Sequence, residues 1–206
     1  MNVVLFGATG MVGQGVLREC LLAPDIGRVL IIGRTPSGQR HAKLTEIVRL
    51  DLLNYADIES ELAGHDTCFF CLGVSSLGLS EDRHRRITYD LTLAAARVPV
   101  RLNPGMTFVY VSGVGTDPNS RTMWARVKGE TENALQQLPF RAVYLFRPGI
   151  IVPLYGARSK TKLYRAHYAA LAPCSRPARF SAVLKLSFSE LPRRSERQFM
   201  RFPSRA

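Results

Sequence analysis

Apolar residues cluster in short runs at 3–6, 29–32, 47–50, 67–72, 106–111 and 142–146, with Arg49, Thr67 and Thr107 as the polar members. Runs of this length, apolar almost throughout and bounded by turn residues, predict strands buried on both faces. Between them, apolar positions recur at three- and four-residue intervals over 12–22, 58–62, 80–97 and 121–138, which predicts helices. Ser80, followed by Glu81 and Asp82, is placed to cap the third helix, and Pro99 predicts its end. Pro139 ends the fourth. Strands alternating with crossover helices imply an α/β fold with a doubly wound parallel sheet.

The alternation weakens after Val152. Residues 162–171 read as one more helix, but no period holds beyond Pro173. The expected organisation is one α/β domain over 1–173 and a short, irregular, basic C-terminal segment over 174–206. Ser, Arg, Pro and Phe dominate that segment. Two readings stay open for it: a solvated basic tail, or a departure from the ancestral reading frame near Cys174.

Charge changes the picture only in part. The chain has 206 residues, 28 Lys+Arg against 16 Asp+Glu and a net charge of +12. Half of that excess lies in 174–206. A basic chain suits nucleic acid, anionic lipid or a phosphorylated ligand. No interleaving of aromatic and basic residues supports specific nucleic-acid reading. No run of about 18 apolar residues predicts a membrane span, and Met1 leads into a strand-like run without a charged leader, so a cytoplasmic protein is expected. Oligomeric state is not legible.

Four cysteines fit reduced thiols. Cys68 and Cys71 form a C-x-x-C, but inside an apolar run they read as strand residues rather than a redox or metal pair. His41, His65, His84 and His167 show no ligand spacing and are expected on surfaces or loops; no metal site is expected.

The run Gly7-Ala-Thr9-Gly10-Met11-Val12-Gly13 joins the first strand to the first helix. Gly7 permits a tight turn, Gly10 lets the backbone approach a pyrophosphate, and Gly13 allows close helix–sheet packing. The helix N-terminus then presents amides to the anion. In an alternating chain this is the fingerprint of a Rossmann dinucleotide site. The second strand ends at Gly33-Arg34 where an NAD-selective site would place a carboxylate, so Arg34 favours the 2′-phosphate of NADP(H) over NAD(H). Asp51, beside Leu52, is placed either to accept from the adenine amino group or to cap a turn.

With Asp51-Leu52, Cys71-Leu72-Gly73, Val111-Ser112-Gly113, Val127-Lys128-Gly129 and Arg147-Pro148-Gly149, residues 1–153 resemble the atypical and extended short-chain dehydrogenase/reductases. They are most similar to the Tat-interacting oxidoreductase-like branch and its sugar-epimerase-like bacterial relatives. The resemblance implies a catalytic serine at Ser112 and a lysine at Lys128. It places Trp124 where the family has its catalytic tyrosine. An indole donates a hydrogen bond but does not titrate usefully, so Trp124 departs from the family's mechanism. Tyr155, Tyr164 and Tyr168 are the alternative phenols. Cys71, Leu72, Gly73, Lys128, Arg147, Pro148 and Gly149 are implied to line the cofactor, and Arg147 reads equally as a contact to an anionic substrate group or as a structural ion pair. Two function classes follow: a reductase or epimerase-like enzyme on a carbonyl or sugar-type small molecule, or a non-catalytic NADP(H)-binding regulator.

Overall fold

A computed structural model describes residues 1–149 and Ile151. The helix expected at 162–171, the phenols Tyr155, Tyr164 and Tyr168, His167 and the segment 174–206 lie outside the described residues.

Six parallel strands form one sheet in the order β3-β2-β1-β4-β5-β6. They are β1 (Asn2–Phe6), β2 (Arg28–Gly33), β3 (Leu44–Val48), β4 (Thr67–Phe70), β5 (Thr107–Val111) and β6 (Ala142–Phe146). The order reverses beside β1, and ligands of open α/β sheets bind at the carboxyl edge of such a switch point. Every pairing is parallel, with Val3 opposite Val29 on one side and Thr67 on the other. This is the Rossmann-type fold expected from the alternation.

Successive side chains of a strand point to opposite faces, and the core divides accordingly. Val3, Leu5, Val29 and Ile31 pack with Val16, Leu17 and Cys20 of α1 (Met11–Leu22). Val4, Phe6, Leu30, Ile32, Phe70 and Phe108 face the other side. There they meet α2 (Glu59–Leu62), α4 (Leu91–Leu102) and α5 (Met123–Gln136). Cys68 is fully buried within β4, as a strand residue should be.

Three local expectations are corrected. The third strand lies three residues earlier than the run 47–50, because pairing with β2 begins at Leu44 and carries the polar Thr45 and Glu46 along this edge. Asp51 therefore follows the strand rather than ending it. The third helix does not stop before Pro99. Helix α3 (Glu81–Arg85) passes through a π-helical turn (Arg86–Asp90) into α4, which runs to Leu102 with Pro99 inside it. Burial of Pro99 and Val100 outweighs the lost amide. Asn103 then closes the helix, its amide donating to the Pro99 and Leu62 carbonyls. Finally, His84 is a buried residue of α3, 1% exposed, rather than a surface or loop one, whereas His65 does lie in a loop, though only 4% exposed.

Candidate functional site: the carboxyl edge of the sheet

The turn after β1 is built by absent side chains. Gly7 has a φ of +81°, and a Cβ there would lie 2.7 Å from the Cys71 carbonyl carbon and the Leu72 nitrogen. At Gly13 a Cβ would sit 2.0 Å from the Gly7 oxygen, so α1 rests directly on the turn. The Gly10 amide closes the turn onto the Gly7 oxygen at 2.9 Å, and Gln14 Nε2 donates to the Thr9 oxygen at 3.1 Å. Helical bonding starts at the Gln14 amide, which donates to the Gly10 oxygen. The first-turn amides of Met11, Val12 and Gly13 have no partner within the helix. Thr9, Gly10, Met11 and Val12 are partly exposed. The cradle has the shape and polarity that a pyrophosphate requires.

Arg34 stands exposed just past β2 and makes no hydrogen bond or ion pair among the described residues. Asp51 is engaged locally, its Oδ1 accepting from the Leu53 amide at 2.8 Å, so the turn-capping alternative is the one realised. Leu52 is buried, and its carbonyl accepts from the Tyr55 hydroxyl at 2.8 Å. Past β4, the Cys71 amide donates to the Phe6 oxygen, Leu72 packs on the core, and a Cβ at Gly73 would meet nothing within 4 Å. Burial pushes the Cys71 and Cys68 thiols well above their ordinary range, and Cys20 up to about 12. None is a ready thiolate.

The turn after β5 is held by side chains. Ser112 is buried, and its Oγ lies 3.0 Å from Thr116 Oγ1, which donates to the Gly113 oxygen at 2.8 Å. The Ser112 and Val114 amides donate to the Phe146 and Pro148 oxygens at 2.7 and 3.0 Å, which ties this turn to Arg147-Pro148-Gly149. Helix α5 is pressed onto the same turn. A Cβ at Gly129 would lie 2.3 Å from the Pro118 nitrogen.

Trp124 and Lys128 are one helical turn apart on α5 and share a face. The indole reaches Gly115, its Cη2 3.4 Å from where a Cβ would stand. Lys128 is half-buried with Nζ 5.5 Å from the Tyr110 ring centroid. Burial lowers its pKa to about 8, against the opposing pull of Glu132. Arg147 does not reach into open space: its guanidinium grips both oxygens of Glu132, which is 2% exposed. Of the two readings of Arg147, the structural ion pair is the one formed.

Two participants escaped the sequence reading. Glu132 gave no motif. His84 left a signal, since His84, Thr88 and Thr92 recur every four residues on the inner face of a predicted helix. His84 Nε2 lies 3.4 Å from Thr88 Oγ1, and Nδ1 is buried without a partner. Burial, then the nearby Lys128 charge, holds its pKa below the usual histidine value.

No protein-family model matches the chain. Protein FMP52, mitochondrial, of Saccharomyces cerevisiae is 30% identical over 79% of this chain and 69% of its own length. The chain belongs to the FMP52 family of atypical short-chain dehydrogenase/reductases. The fmp52 protein of Emericella nidulans is 32% identical over 73% of this chain, and Protein HTATIP2 of Rattus norvegicus 28% over 73%. This FMP52-type chain spans 66% and 63% of those two relatives' lengths.

Solved structures share the fold. A uronate dehydrogenase variant from Agrobacterium tumefaciens, complexed with NAD, superposes with a TM-score of 0.59 at 18% identity, covering 74% of this chain and 62% of its own. UDP-glucose 4-epimerase from Thermotoga maritima, with UDP-glucose, gives 0.57 at 15%, covering 71% and 55%. The expectation of a cytoplasmic protein is corrected, because the fungal FMP52 relatives are named mitochondrial. No helix among the described residues is long and apolar enough to cross a membrane.

Proposed function

We propose that this FMP52-family chain binds NADP(H) and acts as a reductase or epimerase-like enzyme on a carbonyl or sugar-type small molecule. The glycine cradle carries the reading, since Gly7 and Gly13 leave no room for a side chain and the first-turn amides of α1 have no partner within the helix. Gly7, Thr9, Gly10, Met11, Val12 and Gly13 would hold the pyrophosphate. Arg34, unengaged by any described residue, would take the 2′-phosphate. Leu52 and Asp51 would border the adenine, and Cys71, Leu72, Gly73, Pro148 and Gly149 would line the nicotinamide half. Arg147 would brace that wall through Glu132. The bound dinucleotide supplies or takes up a hydride. Ser112 would donate to a substrate oxygen, Lys128 would reach the ribose, and Trp124 would wall the pocket. Mitochondrial residence follows the naming of the relatives.

Isothermal titration of NADPH and NADH into wild type and Arg34→Glu tests the cofactor reading. A charged hydrogen-bonding contact contributes about 1.5–3 kcal/mol, roughly tenfold or more in affinity. NADPH is expected to bind tighter than NADH, with the preference lost in the variant. Equal affinities in wild type would sink the assignment of Arg34.

Trp124 favours a second reading, a non-catalytic NADP(H)-binding regulator. It requires tight NADPH binding with no oxidation across a broad carbonyl panel. Oxidation with any member of the panel eliminates it.

A further inference from the structure

The geometry points to Lys128 as the group that carries the exchangeable proton of this site, in place of the residue one turn earlier on α5. The inference rests on the enzyme reading above and assigns its missing proton donor.

Position 124 is an indole packed on Gly115, and it offers a donor but no usable titration. Among the described residues Lys128 is an ammonium without an ion-pair partner. On its own helix, Glu132 has both oxygens taken by Arg147, and Glu130 is paired with Arg85. On α3, Glu81 is gripped by both its oxygens by Arg126 at 2.8 Å. Asp117, in the loop before α5, acts on Arg147. From β5 only the face of the Tyr110 ring is offered. Lys128 forms no hydrogen bond or ion pair with any described residue.

Among the described residues the other titratable neighbour is His84, 1% exposed and with no hydrogen-bond partner there for Nδ1. Two cations do not share so dry a space, so the imidazole stays neutral and the proton resides on Lys128. Glu81, Glu130 and Glu132 are thus each committed to an arginine, and Asp117 Oδ1 accepts from the Asn119 amide. A half-buried ammonium so placed releases a proton far more readily than a surface lysine, near the pH at which general acids work best. The value of about 8 fits this arrangement.

The proton step is simple. As a substrate carbonyl oxygen gains negative charge, one N–H bond of Lys128 breaks and an O–H bond forms. The neutral amine then takes a proton from solvent water. The hydride that completes the reduction is what bound NADPH provides.

The chain has only five lysines, so ¹³C-methylation of the full-length protein followed by NMR titration resolves each of them. The resonance missing in Lys128→Arg is expected to titrate near pH 8, against about 10.4 for an ordinary lysine. In Arg147→Gln, Glu132 is freed to pair with Lys128, and the midpoint is expected to rise by about one unit. In parallel, NADPH-dependent reduction of aromatic aldehydes, α-dicarbonyls and quinones is expected to fall above about pH 8. The same reduction should drop at least about 100-fold in Lys128→Arg, whose guanidinium stays protonated. Titration at the ordinary lysine value overturns the inference. So does an unmoved midpoint in Arg147→Gln, an unimpaired Lys128→Arg, or NADPH binding with no reduction of any probe. Failure of NADPH to bind wild type instead overturns the functional reading beneath it.

Discussion

The β1–α1 turn and the β5–α5 turn lie on one edge of one sheet, but they are held by different means. At the first, backbone meets backbone: Gly13 rests on the Gly7 carbonyl and Gly7 on the Cys71–Leu72 peptide, and the atoms nearest both glycines are all backbone. At the second, one backbone clearance, Gly129 on Pro118, is joined by a dense set of side-chain pairs. These are Ser112 with Thr116, Glu132 with Arg147, Glu81 with Arg126 and Glu130 with Arg85. A surface meant for a diphosphate has to be bare, because the ligand brings its own charge. A surface meant for chemistry has to fix the charges it keeps.

The contrast is sharpest under a single added methyl. Gly13→Ala forces a carbon to within 2.0 Å of a carbonyl oxygen that cannot move without disturbing β1. It is expected to cost about 4 kcal/mol or more in urea unfolding. Glu132→Gln tests the opposite construction. Breaking a buried ion pair typically costs about 3–5 kcal/mol, and with Arg147 partly exposed the lower end, about 3 kcal/mol, is expected by the same assay. Gly129→Ala, 2.3 Å from the Pro118 nitrogen, is expected to cost about 2–3 kcal/mol, because the Asp117–Pro118 loop gives way more easily than β1. If Gly129→Ala proves costlier than Gly13→Ala, the distinction between the two turns fails.

The smallest effect is one of pH. His65 and His84 are both held neutral, chiefly by burial, with folded pKa values below the usual one. The unfolded chain takes up those protons near pH 6.5 while the folded chain resists. Their stabilising contribution is therefore whole above about pH 6.5 and is lost as pH falls below it. His84→Gln is expected to flatten the decline measured between about pH 7 and pH 5. An unchanged slope would mean that His84 titrates alike in both states.

The same contrast explains what could be read in advance. Gly7 and Gly13 were legible because each stands where no side chain fits, and their spacing with Gly10 is local in sequence. The alternating runs gave the sheet for the same reason. At the second turn, partners come from separate elements: Glu132 and Arg147 are 15 residues apart, Glu81 and Arg126 45. Sequence shows such residues as ordinary surface charges. Strand β3 slipped by three residues because an edge strand need not be apolar throughout. Pro99 misled because burial outweighed its local preference to end a helix. His84 was hidden by treating histidines one at a time rather than by their spacing with Thr88 and Thr92.

All of this turns on whether the bare turn is a dinucleotide site. Isothermal titration of the full chain with NADPH tests that directly. Saturable binding at one NADPH per chain is expected, with a matching rise in melting temperature. The absence of both heat and thermal shift up to millimolar NADPH would contradict it.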